Sequence, residues 1–306
     1  LANNRKIKTV SIIGLGALGI LYGHHLSKIL PHDNLRIVAD QHRISRYRQD
    51  RIYCNGEQCN FNFVLPDDKI GPSDLIIFAV KNNNLDEATE AVKNQVAPHT
   101  IIISLLNGIT SEDKIGRFYG MDKVLYSVAQ GMDAVKSGNK MTYEHMGIIC
   151  FGDKEPGYLS SKTKALAAFF DQHQVPYEID DNMPRKLWTK FMLNVGVNQA
   201  VAVFGKCYGD VQKDGKPREV MIEAMREVIP LAKKEGLDLS EKDIDYWLKV
   251  IDSLSPRGKP SMRQDIEAGR ITEVELFSGT ILQLSKKHSL STPINHLLYE
   301  KIKALK

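Results

Sequence analysis

The sequence predicts an α/β chain, with a parallel sheet flanked by helices in its first half and an all-helical second half. Three observations carry this. Short apolar, β-branched runs alternate with helically spaced segments up to about residue 181. A glycine-rich turn follows the first of those runs directly. Past Asp180-Asp181-Asn182-Met183-Pro184, only helical spacings remain. At 306 residues the chain is too long for one ordinary core, so two domains are expected, 1–181 and 182–306.

Residues 9–13 form a short apolar run, as a strand buried on both faces requires. A helix is expected from the glycine turn to about Leu30, where Pro31 ends it. Strands follow at 35–39, 74–80 and 100–105, and 85–96 has helical spacing between the last two. Strand, helix, strand, repeated, gives a parallel sheet with helices on both faces. Residues 123–152 read as less regular strands, clearest at 148–151. Then come a helix at 161–170 and a last short strand at 175–179. In the second half, helices are expected at 184–203, 217–235, 240–253, 261–268, 273–288 and 293–305. Ser240 before an acidic turn and Thr292 before Pro293 are start signals, and Gly236 and Gly269 are stop signals.

Composition narrows the classes. Hydrophobic residues at 42% and charged residues at 25% exclude a disordered or collagen-like chain. The net charge of +4 is too small to point to nucleic acid. Cys54, Cys59, Cys150 and Cys207 form no CxxC pair and have no histidine cluster beside them. They read as small apolar residues, and neither a metal site nor a disulfide framework is expected. No apolar run approaches the ~18 residues of a membrane helix. The strand and glycine turn that follow Lys6 and Lys8 are unlike a secretory leader. A reducing, cytoplasmic compartment is expected, with neither membrane nor nucleic acid as partner.

Gly14-Leu15-Gly16-Ala17-Leu18-Gly19 is a GxGxxG turn between a strand and a helix. The first glycine allows a tight turn, the second lets the backbone approach a pyrophosphate, and the third lets helix and strand pack closely. The diphosphate would sit at a helix N-terminus, where unpaired N–H groups favour an anion. This makes residues 1–181 a Rossmann-type dinucleotide-binding domain. Asp40 ends the second strand about 20 residues on, where a carboxylate holds the ribose 2′-OH and favours NAD(H). Arg43 and Arg46 follow closely, and an arginine there accepts the 2′-phosphate of NADP(H). Both cofactors stay open on these residues. Lys81 and Asn107-Gly108 close two further strands at the edge where a parallel sheet meets its cofactor.

Lys190, Asn194 and Asn198 are spaced i, i+4, i+8, one stripe of one helix, beside an apolar stripe of Leu187, Phe191 and Val195. Asparagine is a mediocre helix former, so two in one stripe invite explanation. A lysine and two amides suit a small polar anion. Further on, Ser261 with Gln264 and Thr272 with Glu275 fit capping boxes, whereas Glu273 is left over from that structural role. The apolar Val220, Ile222, Val228, Ile229 and Leu231 serve either a core or a homodimer face.

Taken in order, the glycine motif, Ala79-Val80-Lys81-Asn82-Asn83-Asn84, Leu105-Leu106-Asn107-Gly108-Ile109, the stripe at 187–199 and the segment 260–279 resemble the ketopantoate reductase (2-dehydropantoate 2-reductase) family over nearly the whole chain. The resemblance implies a Rossmann domain and a helical substrate and dimerisation domain. It also implies NADPH-dependent reduction of 2-dehydropantoate to pantoate, on the way to pantothenate and coenzyme A. It assigns Lys190 as general acid and gives Glu273 a part in binding and orienting substrate. It gives Asn194, Asn198 and Ser261 the substrate's hydroxyl and carboxylate, and places Lys81 and Asn107 by the cofactor and the reacting carbonyl. Two positions depart from the family pattern. Asp40 stands where an arginine is common, and Ser278 stands where an asparagine precedes the glycine. A reductase of another small 2-keto acid, or a non-catalytic NAD(P)-binding regulator, shares the plan.

Overall fold

The computed structural model describes residues 6–205 and 207–305. The chain forms two compact units that part between Met183 and Pro184.

The described residues of unit 1 form the strands β1 (Val10–Ile13), β2 (Leu35–Val38), β3 (Tyr53–Cys54), β4 (Glu57–Gln58), β5 (Asn62–Val64), β6 (Leu75–Phe78), β7 (Ile101–Ser104), β8 (Val124–Gln130), β9 (Val135–Ser137), β10 (Lys140–Thr142), β11 (Ile148–Gly152) and β12 (Tyr177–Ile179). Its α-helices are α1 (Ala17–Ser27), α2 (Gln41–Asp50), α3 (Leu85–Ala91), α4 (Ser111–Tyr119) and α5 (Ser161–Gln172). Eight strands form one sheet in the order β12-β11-β8-β7-β6-β1-β2-β5. All pairings in it are parallel except β8 with β11. Successive residues of the central strands point to opposite faces, and both faces are covered. Ile12, Ile37, Ile77 and Ile103 enter one core, and Ile13, Val38, Ile76 and Ile102 the other. The chain leaves β1 toward β2 and β5, then returns to build β6, β7 and β8 on its other side. That reversal lies between β1 and β6, where doubly wound sheets open a crevice at the strand ends.

Several expectations need correction. The sheet is mixed, because β11 runs against β8. A second sheet, β4-β3-β10-β9, accompanies it. Its β3–β4 hairpin turns through Asn55 and Gly56, both at positive φ, the geometry an Asn-Gly pair favours. Helices α2 and α4 were not anticipated. The helix expected over 85–96 ends at Ala91 and continues as a 3-10 turn, Lys93–Gln95.

Unit 2 is helical: α6 (Met183–Phe204), α7 (Gly209–Gln212), α8 (Lys216–Arg226), α9 (Val228–Lys234), α10 (Glu241–Ser253), α11 (Ser261–Glu267), a π-turn (Glu275–Gly279), α12 (Thr280–His288) and α13 (Pro293–Lys303). The single helix expected at 217–235 is two. Pro230 has no N–H to return to the carbonyl of Arg226, and the helix breaks there. Gly196 lets α6 and α8 approach closely, since a Cβ there would lie 2.6 Å from Met225 Cγ and 3.0 Å from the Met221 carbonyl oxygen. Val220, Val228 and Leu231 are buried in this unit, while Ile222 and Ile229 are half-buried. Among the described residues, no helix is long and apolar enough to cross a membrane.

Candidate functional site

The glycine turn joins β1 to α1, and its three glycines stand in different surroundings. Gly14 has φ 98°, and a Cβ on it would lie 2.7 Å from the Ala79 backbone. The turn after β1 therefore rests on the turn after β6. A Cβ on Gly19 would collide with the Gly14 carbonyl oxygen. Gly16 differs, because an added Cβ meets nothing nearer than the Ala79 carbonyl oxygen at 3.6 Å. Gly16 also caps α1 without a side-chain hydrogen bond, and the first turn carries no acidic residue. An uncrowded glycine, beside the amide donors of a helix start with no side-chain cap, fits the diphosphate of a dinucleotide. Leu15, Ala17 and Leu18 complete this turn, with Leu15 buried in the core.

Asp40 sits at the end of β2 as the N-cap of α2. It accepts from the Arg43 backbone N–H at 2.7 Å and from Arg43 Nη1 at 2.8 Å. The backbone N–H bond, with the guanidinium beside it, holds its carboxyl below the usual range. The Arg43 guanidinium also pairs with Glu87 at 2.5 Å, so two carboxylates bracket it. Arg46 lies over the Tyr47 ring, 5.3 Å from its centre.

Lys81 precedes the 3-10 turn Asn82–Asn84 at the end of β6, and Asn107-Gly108 follows β7, with Gly108 at φ 91°. Both stand at the same sheet end as Gly14. One further group there escaped sequence reading. Glu112, at the start of α4, is 1% exposed. Its Oε2 accepts from the Ser111 hydroxyl at 2.9 Å, and Ser104 donates to Ser111 at 2.8 Å. Burial pushes this carboxyl up to about 7, the Ser111 bond only partly offsetting it.

In unit 2, α6 brings its stripe together. Asn194 and Asn198 are 7% and 4% exposed, and Lys190 is half-buried. Asn198 Oδ1 accepts from the Met262 backbone N–H and the Ser261 hydroxyl, both at 3.1 Å. Its amide nitrogen must then face the other way, and it donates to Asn194 Oδ1 at 3.2 Å. That in turn commits Asn194 to present its own Nδ2, which is buried and has no hydrogen-bond partner among the described residues. A backbone N–H of α11 thus sets the orientation of two amides and leaves one donor for a ligand.

The C-terminal segment departs from both expected capping boxes. Pro260, not Ser261, caps α11, and Gln264 Nε2 donates to the Lys259 carbonyl. Ser261 is drawn to Asn198 instead. Glu275 accepts from Tyr299 at 2.9 Å and Lys303 at 3.0 Å, so its carboxylate ties the π-turn to α13. Glu273 is half-buried ahead of that turn, its carbonyl accepting from Leu276 N–H at 3.0 Å and Phe277 N–H at 3.2 Å. Ser278 is fully buried and donates to Gln199, within a network that continues through Asn295 to Glu227. Its departure from the family pattern is therefore accommodated in the core. Asp133, Glu144 and His145 form an exposed cluster of metal-ligating type, but the Asp133 carboxylate is already occupied by the backbone N–H groups of Glu144 and His145.

Comparison with known proteins identifies the family. The family described as ketopantoate reductase PanE/ApbA matches residues 10–156, and its C-terminal counterpart matches 182–306. A 2-dehydropantoate 2-reductase of Aquifex aeolicus is 27% identical over 298 residues, covering 96% of this chain and 95% of that protein. The crystal structure of a 2-dehydropantoate 2-reductase from Geobacter metallireducens superposes with a TM-score of 0.84 at 22% identity, covering 97% of this chain and all of the other. A D-mandelate dehydrogenase with NADH and anilino(oxo)acetate gives 0.85 at 21% identity, covering 97% and 98%. With both halves matched in order, the chain belongs to the ketopantoate reductase family.

Proposed function

We propose that this member of the family reduces 2-dehydropantoate, or a closely similar 2-keto acid, to the 2-hydroxy acid, and prefers NADH to NADPH. The observation that carries the substrate reading is the amide relay on α6. Lys190, Asn194 and Asn198 share a stripe, and the relay ends in a buried Asn194 N–H with no partner among the described residues. The bound reduced nicotinamide supplies the hydride. The Lys190 ammonium stabilises the alkoxide that develops on the ketone oxygen and delivers its proton. Asn194 and Ser261 hold the hydroxyl and carboxylate of the substrate, Asn198 sets their orientation, and Glu273 helps bind it. Gly14–Gly19, Lys81 and Asn107 hold the dinucleotide and the carbonyl end.

The cofactor preference rests on charge. Arg43 is bracketed by Asp40 and Glu87, whose two charges outweigh its one, and Arg46 is drawn over the Tyr47 ring. A 2′-phosphate there would meet Asp40, while a 2′-OH could donate to it.

The test is a panel of 2-keto acids, including 2-dehydropantoate, against both cofactors, read by absorbance of the reduced nicotinamide. Turnover of 2-dehydropantoate with NADH ahead of NADPH is expected. No turnover of any keto acid would overturn the enzyme reading, and a preference for NADPH would overturn the charge argument. Lys190→Ala should abolish reduction while the dinucleotide still binds. Full activity in that variant would remove Lys190 as the acid.

A further inference from the structure

Unit 1 contains a cavity of about 300 Å³ away from the glycine turn. Asp40 caps one end of α2, and Tyr47, Arg48 and Arg51 line the cavity at the other end, ~15 Å along the helix axis. His32, before β2, and Phe61 and Phe63, at the edge strand β5, complete its wall. These are the entry ends of the parallel strands, opposite to the ends that carry Gly14, Lys81 and Asn107.

Charge, backbone and aromatic packing single this cavity out. Its lining holds two guanidinium groups and an imidazole but no carboxylate. His32 is paired with Asp33 at 3.5 Å, whereas neither Arg48 nor Arg51 forms an ion pair among the described residues. Arg43, Arg185, Arg218, Arg226, Arg263 and Arg270 do, while Arg36, Arg46, Arg117 and Arg257 do not, so it is the gathering of two such groups in one lining that distinguishes the cavity. Arg51 has φ 55° and ψ 158°, a backbone region that suits glycine and strains any other residue. A helix C-terminus favours a basic residue nearby, but it does not account for a side chain kept at those angles. Tyr47 and Phe63 stack at 5.7 Å and 24°, and Phe61 meets Phe63 edge-on at 6.1 Å. Strain is retained at the residue that brings the second positive charge to an aromatic wall.

We propose that this cavity binds a small aromatic phosphate, its phosphate held by Arg48 and Arg51 and its ring lying against Tyr47 and Phe63. The site is separate from the dinucleotide turn and does not depend on the reductase reading.

Calorimetric titration of the whole chain with phenyl phosphate tests it, with inorganic phosphate as the second probe. Phenyl phosphate should bind about tenfold more tightly, the ring adding to the charge-assisted bonds. Arg48→Ala and Arg51→Gly should each weaken it about tenfold or more. Arg51→Gly should also keep or raise the melting temperature, because glycine suits those backbone angles. Gly16→Ala should leave the affinity unchanged. No binding of phenyl phosphate, or equal affinity in Arg51→Gly or Arg48→Ala, would overturn the proposal. Loss of binding in Gly16→Ala would move the ligand to the dinucleotide turn and overturn it too. Equal affinity for both probes would remove the aromatic half and overturn it as stated.

Discussion

A methyl group added to Gly14, Gly16 or Gly19 meets three different surroundings, and this separates binding from folding. At Gly16 it makes one ordinary contact, 3.6 Å from the Ala79 carbonyl oxygen, so Gly16→Ala should keep stability within about 0.5 kcal/mol. The same change should weaken dinucleotide binding about tenfold or more, read by fluorescence titration of the reduced nicotinamide. At Gly19 it strikes the Gly14 carbonyl, and Gly19→Ala should cost about 1–3 kcal/mol in denaturant unfolding. If Gly16→Ala unfolds the chain instead, the separation is wrong. Asn194→Asp keeps the acceptor for Asn198 but removes the donor and adds a charge. It should raise KM for the keto acid with little change in dinucleotide affinity. The spacing of Lys190, Asn194 and Asn198 was legible because it needs only one helix. The partners of Ser261 were not, because the hydroxyl reaches back 63 residues to Asn198 and local capping chemistry offered a closer reading.

Among the elements, α4 carries the most testable chemistry. Glu112 has its folded-state carboxyl near 7 against an ordinary value of 4.5. The folded chain therefore binds this proton more tightly than the unfolded chain does. Its contribution is complete below about pH 4.5, falls as the pH rises toward 7, and is absent above. The swing is on the order of 3 kcal/mol. Glu112→Gln keeps an acceptor for Ser111 and cannot ionise, so the difference between the two stability profiles should slope over that window and flatten outside it. Equal profiles would show that Glu112 is solvated in solution. Elements with a strong local pattern were legible: the central strands are mostly apolar, with Ser11, Arg36 and Ser104 the exceptions, and Ser240 before its acidic turn does start α10, where it forms a capping box with Asp243. Helix α2, with a single buried residue, Ile44, gave almost no apolar pattern to read. The β3–β4 hairpin is two residues a side, too short for alternation to show it.

At the scale of the whole molecule, folding and ligand binding are linked. A dinucleotide that binds the folded chain alone should stabilise it by about 2.7 kcal/mol at one hundred times its Kd. NADH should therefore raise the melting temperature more than NADPH does at equal concentration, and Gly16→Ala should shrink both shifts. Equal shifts from the two would contradict the charge argument at Asp40. The π-turn at 275–279 has a consequence of another kind. A wide turn of this sort is what one extra residue leaves behind when it enters an α-helix without unwinding it. Deleting one residue there would close the segment to ordinary α-helix and rotate everything before it by about 100° about the axis. Glu273 would face a new direction, while α12 and α13 kept theirs. In descent, the orientation of that carboxylate can be carried by chain length as well as by residue identity.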